Sequence, residues 1–198
     1  MNMKPTKQFS RYVFALWLFA GCQPQLAIPE NSWGYFSAKV NGRQWEKTFE
    51  NAFQAVRAWE HDLDSCVCKR LLVYSLLFES DGNLQEELSF SNIPKRKGRY
   101  KVSRIGTYSW KDSTTVYSHL NTFIDSDMFR DQYELLESED NYLQIDTYQE
   151  NGNREIKGRF NVTYVLKTPR AFNSYEDTLR FTNGKFHTKI LEPIKWHL

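Results

Sequence analysis

Cysteine is scarce in this 198-residue chain: Cys22, Cys66 and Cys68 are all there is. Three cysteines cannot build the disulfide lattice of a small secreted scaffold, and no second Cys-x-Cys or Cys-x-x-Cys completes a tetrahedral metal set. With 9 glycines and 6 prolines, the chain is neither collagen-like nor low-complexity. Neither sign of charge dominates, with 26 basic and 24 acidic side chains, so composition gives no case for a nucleic-acid partner. No apolar run approaches the roughly 20 residues that a transmembrane helix needs. Gly-x-Ser-x-Gly, His-Glu-x-x-His and a phosphate-cradling glycine loop are absent. Hydrolase, zincin and nucleotide chemistry therefore lack support; the chain does not read as an enzyme, and nothing calls for a cofactor.

What is there begins at the N-terminus. Lys4, Lys7 and Arg11 precede the apolar run YVFALWLFA (12–20), which ends in Ala20-Gly21-Cys22 and turns polar at once with QPQ. A basic segment, a short apolar core and small residues before a cut site make a secretory signal peptide. The small pair directly before cysteine resembles the lipobox of bacterial lipoproteins, with Phe19 where leucine is commonest. That resemblance implies cleavage between Gly21 and Cys22, a diacylglycerol on Cys22 Sγ and an acylated amine. Several acyl chains at about 0.8 kcal/mol per buried CH₂ anchor a protein without a spanning helix. Removing residues 1–21 leaves 23 basic against 24 acidic side chains, so the basic excess belongs to the signal.

The expected organisation is a signal peptide (1–21), a lipidated cysteine and tether (22–32, CQPQLAIPENS with Ser32 last), and one domain (33–198). Strand signals dominate that domain. YFSAKV (35–40) runs into Asn41-Gly42, a strong hairpin signal. RLLVYSLLFE (70–79) reads as a central strand, Asp81-Gly82 as a turn, and LQEELSF (84–90) as the next strand, with Leu84, Leu88 and Phe90 on one face. Further strands are expected at 98–104, 114–123, 133–138 and 142–148. Asn151-Gly152 then leads into 154–166, where Ile156, Phe160, Val162, Tyr164 and Leu166 share a face and Gly158 marks a bulge or bend. DTLRFT (177–182), Asn183-Gly184 and KFHTKIL (185–191) read as a closing hairpin. In 48–60, Phe49, Ala52, Phe53, Val56 and Trp59 recur at helical spacing behind Thr48, which predicts one amphipathic helix. The fold class is mainly β: an antiparallel sandwich or barrel of hairpins with that single helix.

The lipobox, the tether, YFSAKVNGRQW (35–45), KGRFNV (157–162) and FTNGKF (181–186) together resemble small uncharacterised lipoproteins of Bacteroidota. Those open on a Phe-x-Ala-x-Val-Asn-Gly-x-x-Trp strand and close on a Thr-Asn-Gly-x-Phe hairpin. The resemblance implies a lipid-anchored β-rich envelope domain with no assigned reaction, and it carries over no catalytic residue. In that group, outward display goes with acids just after the lipidated cysteine; here none precedes Glu30, which favours the periplasmic leaflet of the outer membrane.

Four sets of residues are candidate sites. Cys66 and Cys68 are thiols in an oxidising compartment, and they are either free or joined in a strained local disulfide. With His61 they offer a third reading, a soft-metal or redox site. Lys95, Arg96, Lys97 and Arg99 surround Tyr100 in a basic loop that is either an anion contact, for lipid phosphate or acidic glycan, or a solvated rim. Tyr108 and Trp110 in GTYSWKDS can stack a glycan, although core packing is the commoner use of tryptophan. Asp125, Asp127 and Asp131 lack the glycine and closing glutamate of a calcium loop. The functional expectation is a lipid-anchored, non-catalytic binding or accessory module for a glycan, a lipid or a partner protein. The alternative is a thiol redox or metal protein built on Cys66, Cys68 and His61.

Overall fold

The structure is a computed structural model that describes residues 34–45, 53–62, 69–79, 82–104, 115–124, 128–167 and 176–191. Eleven strands form one sheet: β1 (Gly34–Val40), β2 (Arg43–Trp45), β3 (Phe53–Asp62), β4 (Lys69–Phe78), β5 (Leu84–Ile93), β6 (Gly98–Arg104), β7 (Val116–Phe123), β8 (Phe129–Leu135), β9 (Tyr142–Tyr148), β10 (Glu155–Leu166) and β11 (Thr178–Leu191). The path β11–β3–β4–β5–β7–β6–β9–β10 returns to β11, so eight strands close a barrel and the sandwich alternative falls away. Closure satisfies the backbone donors and acceptors that an open sheet leaves at its edges. The joins β11–β3 and β6–β7 are parallel; the other ladders are antiparallel.

Local chemistry accounts for most of these elements. Asn41 and Gly42 have φ of 50° and 81°, and Val40 pairs with Arg43 across them. Two successive positive-φ residues twist a two-residue loop in the sense that the flanking strands need. In β10, Ile156, Gly158, Phe160, Val162 and Tyr164 are buried, as alternation predicts. A Cβ on Gly158 would lie 2.2 Å from the Gln144 carbonyl oxygen and 2.6 Å from the Phe186 ring. Only glycine fits there, and the ladder to β9 shifts register beside it.

Two expectations are corrected. The helix over 48–60 is replaced, where the chain is described, by β3, which pairs with β4 from Phe53↔Phe78 to Asp62↔Lys69; 48–52 lie outside the described residues. Val56 and Trp59, one helical face apart, end on opposite faces of a strand. Val56 is fully buried inside, while Trp59 meets Tyr74 on the outer wall at 6.1 Å. Ten cross-strand pairs with β4 and burial of Gln54, Val56 and Ala58 override a helical spacing that 3.6-periodicity alone suggests. The closing hairpin at 177–191 is instead the single strand β11. Asn183, at φ 54°, makes a bulge there, seen as register shifts opposite both Ser37/Lys39 and Phe160/Val162. The left-handed residue kinks the strand without reversing it. The strand expected at 133–138 also begins earlier, at Phe129.

Among the described residues, side chains pack the middle of the barrel. Phe36, Phe90, Phe160 and Phe186 are at most 1% exposed, and Phe160 stands 5.5 Å from Phe36 and 5.2 Å from Phe90. Aliphatic side chains from every barrel strand complete this core. Toward the end that carries the Asn41-Gly42 turn, the interior becomes polar. Glu86 is 4% exposed between Leu84 and Leu88, beside Thr122 of β7. Burial raises its carboxyl pKa to about 7, and a hydrogen bond from Trp45 only partly opposes that. Ser118 Oγ donates to the Ser89 carbonyl at 2.7 Å and meets the buried Tyr164 hydroxyl. Burial holds that phenol protonated well above its ordinary range.

Candidate functional site

The barrel wall changes partner along β7 and β10, and that change opens a groove. On β7, Val116–Ser118 pair with β6, and Leu120 onward pairs with β8. On β10, residues through Asn161 pair with β9, and Tyr164 onward pairs with β8. Asn141 stitches the β10 side: its Oδ1 accepts from Thr163 N at 2.8 Å and its Nδ2 donates to Leu136 O at 2.7 Å. On the β7 side a notch remains, where β6 stops at Arg104 before β8 takes over. It is a half-open groove of about 350 Å³, lined by Arg104, His119, Asn121, Gln132, Glu134 and Lys167, with Ser118, Tyr133 and Leu135 beneath.

The lining is a mixed hydrogen-bonding surface over a small apolar floor. The Arg104 guanidinium lies 3.9 Å from the Glu134 carboxylate, with both side chains substantially exposed. Asn121 and Gln132 present amides from neighbouring positions of β7 and β8. Lys167 is exposed at the rim, where its backbone N–H donates to Gln132 O at 2.8 Å.

His119 joins the groove to a polar chain on the outer wall. Its ring nitrogens both lie 3.0 Å from Ser89 Oγ, and Nε2 lies 3.2 Å from Glu87 Oε1. Serine, histidine and carboxylate are the elements of a nucleophilic triad. Ser89, however, is 1% exposed and sits mid-strand, paired to Tyr74 on one side and His119 on the other. A covered hydroxyl whose backbone amide lies within a sheet offers neither an approach for a carbonyl nor an oxyanion donor. What this chain does is orient the imidazole at the groove's edge.

The four cations of the basic loop separate into two kinds. Lys95 is largely covered and bonds Glu150 at 2.5 Å and Glu60 at 3.3 Å. Burial opposes its charge, but the hydrogen bonds to the two carboxylates prevail and raise its pKa. Arg99 pairs with Asp140 at 2.9 Å and stacks 3.6 Å from the Tyr142 ring centroid. Arg96 and Lys97 are exposed and make no ion pair among the described residues.

The carboxylate behind this arrangement is Glu60, whose side chain is 9% exposed and which also contacts Arg154 at 3.2 Å and Lys69 at 4.0 Å. Glu60→Gln leaves Lys95 and Arg154 short of an anion. Because those partners are only partly covered, the expected loss is about 2 kcal/mol, below the cost of breaking a fully buried pair. Urea unfolding at low and high salt checks this: the loss shrinks as salt screens the uncompensated cations.

Of the other sequence candidates, Gly21, Cys22, Cys66, Cys68, Tyr108, Trp110, Asp125 and Asp127 lie outside the described residues, and so does the side chain of His61. Asp131 faces inward at 1% exposure, with its backbone N–H bonded to Thr122 Oγ1, so it does not stand in a solvent-facing calcium loop. Among the described residues no group of three or more His, Cys, Asp or Glu side chains can hold a metal ion. Sequence reasoning missed the groove, Glu86 and the Glu60 network. Only Glu86 had a visible signal, its place between Leu84 and Leu88 in a period-two run. Comparison of the chain with protein-family models, curated proteins and solved structures finds no match in any of the three.

Proposed function

We propose that the chain is a lipid-anchored module of the bacterial cell envelope that binds a short glycan in the wall groove without transforming it. The observation that carries this reading is the groove itself. The barrel interior is packed with phenylalanine, so ligand recognition falls to the concave polar surface between β6 and β8. Its volume suits one or two sugar rings. The Arg104–Glu134 pair is suited to paired vicinal hydroxyls, the Asn121 and Gln132 amides donate and accept, and Tyr133 and Leu135 floor the site. The lipobox at Cys22 and the resemblance to small Bacteroidota lipoproteins support the envelope address, and the acid-free QPQLAIP after Cys22 favours the periplasmic leaflet.

The test is a titration of the mature chain with neutral and acidic oligosaccharides, followed by NMR shifts or calorimetry. Binding is expected to perturb the groove residues, and Arg104→Ala is expected to weaken it about tenfold, the loss of one charged hydrogen bond. Shifts that Arg104→Ala leaves unchanged would move the ligand elsewhere. Release of a shortened sugar would replace the binding reading with an enzymatic one.

A further inference from the structure

We infer that the end of the barrel bearing Gly34 docks on anionic phospholipid headgroups through Arg96 and Lys97; this rests on the lipid-anchor reading and gives the anchored domain an orientation. The strand register fixes which loops share that end. Gly34 pairs with Thr188, Thr188 with Ile156, and Ile156 with Tyr148, so the β9–β10 turn lies just beyond the point where the tether joins β1. Ile190 pairs with Ala58, two residues from Glu60; Glu60 pairs with Leu71, and Leu71 with Ile93. That row brings the β5–β6 loop, residues 94–97, to the same end. The Asn41-Gly42 turn and the turn at Gly82 leave from the opposite end.

Charge at this end is sorted by depth. Glu60 is covered and held by Lys95 and Arg154, and Glu150 is bonded to Lys95. Gln149, Asn151 and Asn153 are exposed and uncharged. Arg96 and Lys97 remain, exposed and without an ion pair among the described residues. Their loop is braced, because the Tyr100 hydroxyl donates to the Arg96 carbonyl at 2.9 Å and lies 3.3 Å from that of Lys97. The sequence thus places two presented cations on the side where the anchored chain arrives.

The tether makes two charges enough. A flexible chain of about a dozen residues, the length expected for the tether, has a root-mean-square span of about 20 Å. A ten-residue strand such as β4 runs about 33 Å. The Gly34 end therefore samples the headgroup region, while the far end stands off by a further strand length. Held at high effective concentration, a surface cation near an anionic leaflet gains a factor of about five in occupancy. The opposite end carries the exposed apolar pair Met128 and Phe129, 59% and 49% exposed, which makes it the rival membrane contact.

The experiment uses the full lipidated protein on vesicles of phosphatidylcholine alone or with added phosphatidylglycerol. Lysine acylation and methionine oxidation are read residue by residue by mass spectrometry. Labelling of Lys97, and of the exposed Lys69 at the same end, is expected to slow about fivefold on the anionic vesicles, with Lys39 and Met128 unchanged. The variant R96E/K97E, altered only in an exposed loop, is expected to abolish the lipid-dependent slowing at Lys69. Equal labelling of Lys97 on both vesicle types, or protection of Met128 in its place, overturns the docking. The mass of the N-terminal peptide reads the anchor separately: a bare Cys22 sinks the anchor and the docking together, whereas an acylated Cys22 with unprotected Lys97 sinks the docking alone.

Discussion

Alanine at position 160 is expected to lower the stability of the folded domain by about 3–5 kcal/mol. Phe160 is fully buried, packs against Phe36 and Phe90 from opposite parts of the barrel, and lies over Gly184, where a Cβ would meet its ring at 2.7 Å. The backbone around it is held in ladders to β9 and β11, so the wall has little freedom to collapse into the space left. The cost is therefore lost transfer energy plus a residual cavity. For a chain of this size that corresponds to a fall of roughly 10 °C in Tm, read by circular dichroism. Phe129→Ala, which removes a ring that is 49% exposed, is the control and changes stability far less. A loss below about 1 kcal/mol at Phe160 would show that the phenylalanine cluster does not form the packed centre.

Glu86→Gln is expected to change the pH dependence of folding strongly between about pH 4.5 and 7. The carboxyl pKa lies at about 7 in the folded chain against an ordinary value of 4.5, because burial penalises its charged form. The folded state therefore binds the proton more tightly than the unfolded state. The stabilisation is complete below about pH 4.5, falls as pH rises and is gone above about pH 7, a change of about 3 kcal/mol. Glutamine is the uncharged isostere and lacks this slope. The variant should match the parent near pH 4.5 and exceed it by up to about 3 kcal/mol at pH 8. Denaturant titrations across that range check it. Every other group is common to both chains, so the difference between the curves isolates Glu86. Parallel curves would mean that the carboxyl is hydrated.

The strands that alternate in sequence are where reading the chain succeeds. Strand β10 carries its burial pattern in its own residues, and the Asn41-Gly42 turn forms as its left-handed preference demands. The failures have physical causes. Phe53, Val56 and Trp59 fit a helix by spacing, and only the partner strand β4, distant in the reading, decides for a sheet. Asn183-Gly184 uses the same left-handed preference as a hairpin but makes a bulge, because β1 and β10 flank that strand on both sides and leave it no room to turn back. Sequence leaves the basic loop open between an anion contact and a solvated rim because its counter-ions, Glu60, Asp140 and Glu150, lie 35 to 55 residues away, a separation at which spacing says nothing. The groove could not be read at all. It arises where two strands exchange neighbours, a property of strand order that no single segment encodes.

The last strand has a consequence for how such a chain reaches its native form. Strand β11 is the shared neighbour of β1, β3 and β10. Until Thr178–Leu191 has been synthesised, those three strands have no common partner, and the barrel wall stays open on both sides of the missing stave. A chain with exposed ladder edges is prone to pair with its neighbours, and closure by contacts this distant in sequence is slow. Thr178–Leu191 thus acts as a latch in time: the strands made before it wait, adhesive and incomplete, until it arrives.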